Sequence, residues 1–64
     1  MRPMLKVRLA EAGMTGRELA RRCDVSENTV WLWTTERGLM GMTLRRMTQV
    51  AEVLGCSVCD LFEE

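Results

Sequence analysis

Apolar positions recur at helical spacing along the chain, and no stretch alternates apolar and polar residues as a half-buried strand does. Leu5 and Leu9 stand at i and i+4, Ala12 follows one turn later and Gly13 comes next, which predicts a first helix over about Met4–Ala12. Thr15-Gly16-Arg17-Glu18 has the form of a capping box. Thr15 accepts from an orphan N–H and Glu18 reaches back, opening a second helix with Leu19, Ala20 and Cys23 on its inner side. Ser26 is a good N-cap for a third helix running to about Thr35, with Gly38 in the loop beyond it. Thr43 opens a fourth helix that ends at Gly55, and Leu44, Met47, Val50, Ala51 and Leu54 form one stripe along it. A short turn from Ser57 brings Val58, Leu61 and Phe62 inward.

Five short helices without a linker or repeat predict an all-α fold, a compact orthogonal bundle forming one domain over residues 1–64. The second and third helices are joined by Cys23-Asp24-Val25-Ser26. Ala20 is small enough for a close crossing, and Val25 and Val30 fill the angle, so residues from about 15 to 35 read as a helix-turn-helix unit. Leu39-Met40-Gly41-Met42 is apolar for a loop; either it packs onto the core or it forms a subunit contact.

A chain of 64 residues buries only about 60% of its unfolded surface and has no room for a lid over a deep cleft. It contains no His, which removes His-based acid–base chemistry and serine triads with a His base, and no enzymatic constellation is expected. No apolar run approaches the ~20 residues of a membrane span, and the start turns polar at once, so the expected location is the cytoplasm. The net charge is zero but unevenly spread. Residues 1–48 hold nine basic and five acidic side chains, whereas residues 49–64 hold four acidic and no basic ones. Such asymmetry suggests one side facing a polyanion and an acidic far side.

Cys56-Ser57-Val58-Cys59 is a lone C-x-x-C, and Cys23 is the one other thiol. A structural zinc site needs four ligands, so no metal is expected, nor any cofactor. The thiols read as small buried residues around a helix start, with a redox switch or an intersubunit disulfide as the alternative.

From Met14 to Val30 the chain resembles the Cro/cI-repressor-type (Xre-like) helix-turn-helix DNA-binding domain, with matches at Thr15, Glu18-Leu19-Ala20, Val25-Ser26 and Thr29-Val30. Met42-Thr43-Leu44, Met47, Val50 to Cys56 and Asp60-Leu61-Phe62 are similar to that family's last two helices, so the likeness extends from about Met4 to Glu63. The resemblance implies a lambda-repressor-like bundle that lays its third helix in the major groove of double-stranded DNA. Two positions depart from the family pattern. Gly16 stands where a phosphate-touching Gln is common and offers only its backbone N–H. Asp24 stands where the turn usually has Gly, at a position that tends to need positive φ, which Asp tolerates better than most residues.

Val30 and Trp33, three apart, share the core face of the third helix, and Asn28, Trp31, Leu32 and Thr35 share the other. The expected base contacts are therefore Glu27, Asn28, Trp31 and Leu32. Asn28 suits adenine N6/N7 and Glu27 suits the cytosine amino group. Trp31 and Leu32 suit thymine methyl groups or a protein contact, or else Trp31 tucks against Leu39 or Met40. The expected phosphate contacts are Thr15, Gly16, Arg17, Ser26, Thr29, Arg37, Thr43, Arg45 and Arg46, around the helix starts that flank the third helix. Arg21 and Arg22 read as solvated or paired with Glu18.

A domain of this length has a radius of gyration of roughly 11 Å, whereas half-sites of helix-turn-helix dimers lie about 34 Å apart. A homodimer on a palindromic operator is expected, joined through Leu39–Met42 or around Val58 and Phe62. The function expected is sequence-specific transcriptional regulation, as a repressor. The alternative is a helix-turn-helix scaffold used for protein–protein contact through Trp31, as in antitoxin-like regulators.

Overall fold

Ser and Thr side chains set where the helices begin. In the computed structural model, which describes the whole chain from Met1 to Glu64, helix α1 spans Leu5–Glu11, α2 Gly16–Cys23, α3 Glu27–Leu32, α4 Glu36–Met40 and α5 Leu44–Leu54. A 3-10 turn follows at Val58–Leu61. Thr15, Ser26, Thr35 and Thr43 are the N-caps of α2 to α5, each accepting a hydrogen bond from the backbone N–H three residues on, at 3.0–3.2 Å. Each satisfies a donor that the helix itself leaves unpaired. The capping box at Thr15 forms only by half. Glu18 accepts from Arg22 at 3.1 Å instead of reaching back, because the i,i+4 cation is closer to hand.

Three helices stop in the same way. Gly13, Asp24 and Gly55 adopt left-handed backbone, and the next N–H bonds back to Leu9, Ala20 and Ala51 at 2.9–3.0 Å. These closures turn the chain sharply enough to pack neighbouring helices across one another. The core they enclose consists of Leu5, Leu9, Leu19, Ala20, Cys23, Val30, Trp33, Val50, Ala51, Leu54 and Leu61. Trp33 is buried, as the face it shares with Val30 predicts.

The structure departs from the sequence expectations at further points. The third helix ends at Leu32 rather than near Thr35, and the supposed loop holds a helix, α4. The hydroxyls of Thr34 and Thr35 donate to the carbonyls of Trp31 and Leu32, each at 2.6 Å, and Thr35 then caps α4. Within α4, Leu39 is fully buried and Met40 is exposed. The chain ends pair as two short antiparallel strands, β1 (Arg2–Pro3) and β2 (Phe62–Glu63), too short to leave any alternation in the sequence. Leu44 is 71% exposed, although it falls on the inner stripe of α5. It is the first residue of the helix, and its side chain leans back toward the N-terminus. Cys23 is buried and Cys56 packs half-buried against the core, but Cys59, expected to be buried with them, is exposed; all three are free thiols. Burial raises the pKa of Cys23 and of Cys56 above the ordinary thiol value.

The acidic C-terminal stretch is partly used internally. Asp60 accepts from the Ser57 backbone N–H and hydroxyl, both at 3.0 Å, which holds its carboxyl below the ordinary range. Arg8 Nε donates to the Asp60 carbonyl at 2.7 Å, tying α1 to the 3-10 turn.

Two predictions follow from these packings. A Cβ at Gly38 would overlap the Leu32 carbonyl, a backbone atom that cannot swing aside, whereas at Gly41 its nearest neighbour would be 3.4 Å away. In urea denaturation, Gly38→Ala is expected to cost about 2 kcal/mol or more and Gly41→Ala less than about 0.5 kcal/mol. Because the folded pKa of Asp60 is lowered, its contribution to stability is full above the unfolded Asp value of about 3.9 and is lost as pH falls through the folded value. Wild type should therefore lose more stability than Asp60→Asn between about pH 5 and pH 2, read from urea midpoints.

Candidate nucleic-acid interface

Helices α2 and α3 pack on each other more extensively than any other pair of elements. Ala20 at their crossing is nearly inaccessible, Val30 is fully buried and Val25 packs against the core from the turn between them. The turn rests on Asp24 at φ 58°, with the Val25 N–H bonded to the Ala20 carbonyl at 3.0 Å. Asp therefore takes the left-handed position that the sequence suggested, with a Cβ where glycine has none.

The outward side of α3 carries Glu27, Asn28, Trp31 and Leu32, all exposed. Two groups of side chains flank it. On one side the start of α2 meets α3 and α1, bringing Thr15, Gly16, Glu27 and Trp31 around a shallow groove with Lys6 and Met14. On the other side the start of α5 meets α3, bringing Thr29, Leu32, Thr43 and Arg46 around an open groove of about 380 Å³. Residues proposed for base and phosphate contact thus fall on both margins of one short helix. Arg17, Ser26, Asn28, Arg37 and Arg45 lie outside both grooves, all exposed. Lys6 is the residue that sequence reasoning missed. Only the docking of α1 beside the α2 start brings it there, and no local pattern signals it.

The cations divide into two sets. Arg2 pairs with Glu63, Arg8 with Glu11 and Arg22 with Glu18. Arg46 donates from Nη1 to the Cys23 carbonyl at 2.9 Å and to Gln49 at 2.8 Å, and its guanidinium lies 5.8 Å from the Trp33 ring centre. It ties the end of α2 to α5 before any ligand is considered. No side-chain hydrogen bond or ion pair engages Lys6, Arg17, Arg21, Arg37 or Arg45. Of the expected phosphate donors, Arg17, Arg37 and Arg45 are therefore unpaired, and Arg46 is partly engaged.

Several hydroxyls have a structural duty as well. Thr15 and Thr43 cap their helices, and Ser26 Oγ both caps α3 and lies 2.9 Å from Thr29 Oγ1. Gly16 is buried under the Trp31 indole: a Cβ there would meet Cζ2 at 2.7 Å and Cη2 at 2.8 Å. Trp31 thus packs on the start of α2 and retains 40% exposure.

Comparison with known proteins adds one finding. A family model described as Cro/C1-type HTH DNA-binding domain matches residues 4–63. No curated protein and no solved structure matches the chain.

The turn yields its own prediction. Replacing Asp24 by Gly removes the left-handed penalty on a side-chain-bearing residue, offset in part by greater freedom of the unfolded chain. Asp24→Gly is expected to raise the urea midpoint, by roughly 0.5 kcal/mol of stability, and Asp24→Val to lower it by more than about 1 kcal/mol. Equal midpoints for the three proteins would show that the turn carries no backbone strain.

Proposed function

The chain belongs to the Cro/C1-type helix-turn-helix DNA-binding family, and on that premise we propose that it is a cytoplasmic transcriptional repressor that lays α3 in the major groove of a palindromic operator as a homodimer. The observation that carries this reading is the outward side of α3, with Asn28 and Leu32 exposed and with Thr15 lining the groove on one margin and Thr43 and Arg46 that on the other. Asn28 is the bidentate partner for adenine, Glu27 accepts from a cytosine amino group, and Leu32 meets a thymine methyl. Arg17 and Arg45, each one residue inside a helix start, take phosphates, joined by Arg37, Thr15, Ser26, Thr29 and Thr43. Arg46 contributes through the part of its guanidinium that Cys23 and Gln49 leave open.

Size supports the dimer. The longest extent of the molecule is 27 Å and its radius of gyration 10.2 Å, whereas half-sites lie about 34 Å apart. One copy spans one half-site, and two are needed for the specificity of a full operator. A second reading, docking of a protein partner around Trp31, draws on the exposed apolar side chains of Leu32, Met40 and Leu44.

Selection from a random duplex library at near-physiological salt decides between the two. Enrichment of a symmetric site supports the repressor, and its half-site spacing gives the dimer geometry. No enrichment, with weak and nonspecific retention of DNA, overturns it in favour of the protein partner. On the selected duplex, Asn28→Ala is expected to lose about 1–3 kcal/mol and relax preference at one base pair. Arg17→Ala and Arg45→Ala should weaken all sequences alike, each lowering the slope of log affinity against log salt by about 1.

A further inference from the structure

We infer that Trp31 is a positioning residue for DNA reading rather than a base reader: its indole, seated on Gly16, fixes the rotation of α3 about its own axis. The inference rests on the proposed DNA-reading function and deepens it. Helix α3 is only six residues long. Val30 and Trp33 share one face and hold that face to the core. Contacts on one face alone act as a hinge about which a short helix rolls. Trp31 projects about 100° away from Val30 and reaches the start of a different helix, so it supplies the second point that stops the roll.

The seat is specific to the residue pair. Gly16 is the first residue of α2, directly after the Thr15 cap, with ordinary negative φ, so backbone conformation does not call for glycine there. The absent Cβ is what the site requires, because the six-membered ring fills that volume, with Cζ2, Cη2 and Cε2 all within 3.2 Å of where the Cβ would stand. Any other residue at position 16 displaces the ring. Gly16 and Trp31 therefore make structural sense as a pair.

The geometry gives this seat leverage over recognition. Side-chain tips stand about 5–6 Å from a helix axis, so a roll of about 10° shifts the Asn28 and Leu32 tips by about 1 Å. That exceeds the distance range within which a bidentate hydrogen bond to a base edge is kept. Trp31 controls whether its neighbours meet their bases, although its covered face is turned to protein.

The test uses the duplex that the wild-type protein selects and four proteins: wild type, Trp31→Ala, Gly16→Ala and the double variant. Affinity is measured across all single base-pair changes in the half-site, and stability by urea denaturation. Proteins labelled with 5-fluorotryptophan report each indole separately by ¹⁹F NMR, Trp33 serving as the internal control. Trp31→Ala is expected to weaken binding about tenfold and to flatten preference at several base pairs together, within the range for coupled neighbours. Gly16→Ala should do the same and shift the Trp31 resonance, leaving that of Trp33 in place. In the Trp31→Ala background, Gly16→Ala should have no further effect, because the ring it collides with is gone. If Gly16→Ala alone does not fold, recovery of the fold in the double variant is the expected sign of the same pairing. Loss of preference at a single base pair in Trp31→Ala would make Trp31 a base reader and overturn the inference. Equal loss from Gly16→Ala in both backgrounds would also overturn it, by showing that Gly16 acts without the ring. A wild type that selects no duplex overturns the DNA-reading function itself, and the inference with it.

Discussion

The left-handed backbone at Asp24 is the constraint on which the arrangement of the other helices depends. It lets the Val25 N–H close on the Ala20 carbonyl, ends α2 in one step and turns the chain toward α3. Ala20 then passes close beneath α3, and Val30 and Trp33 are carried into the core from the opposite side of the turn. Arg46 reinforces the same corner from α5, holding the Cys23 carbonyl with one nitrogen while its guanidinium lies near the Trp33 ring. The end of α2, the start of α5 and the buried face of α3 are thereby joined through one guanidinium.

Charge in this molecule works by placement, since its sum is zero. Much of the acidic end is occupied internally, Asp60 in the 3-10 turn and Glu63 on Arg2. The arginines nearest the starts of α2 and α5 have no such partners. A neutral chain can therefore leave some of its arginines without a carboxylate partner, because other carboxylates and guanidiniums are already paired with one another.

Helix starts and stops were legible because their chemistry is local. Thr15, Ser26 and Thr43 cap as their sequence context says, and Gly13, Asp24 and Gly55 stop helices as a small or αL-tolerant residue does. Helix α4 was hidden because Thr34-Thr35 reads as the tail of α3. Only the bonds of the two hydroxyls to Trp31 and Leu32 show where one helix ends and the next begins. The β1–β2 pair was hidden because two-residue strands carry no period, and their partners are about 60 residues apart in the chain.

The candidate interface divides along the same line. Spacing along the chain already puts Val30 and Trp33 on one face of α3 and Asn28, Trp31 and Leu32 on the rest, because helical periodicity is a property of neighbouring residues. The family too is legible along the chain, in a match over residues 4–63. Tertiary structure alone decided that Arg46 is tied to the end of α2, that Lys6 stands beside the α2 start and that Trp31 rests on Gly16. Each of these joins residues from different helices. Whether a side chain meets solvent, a guanidinium or the bare backbone of a glycine depends on how those helices pack, which no spacing along one helix encodes.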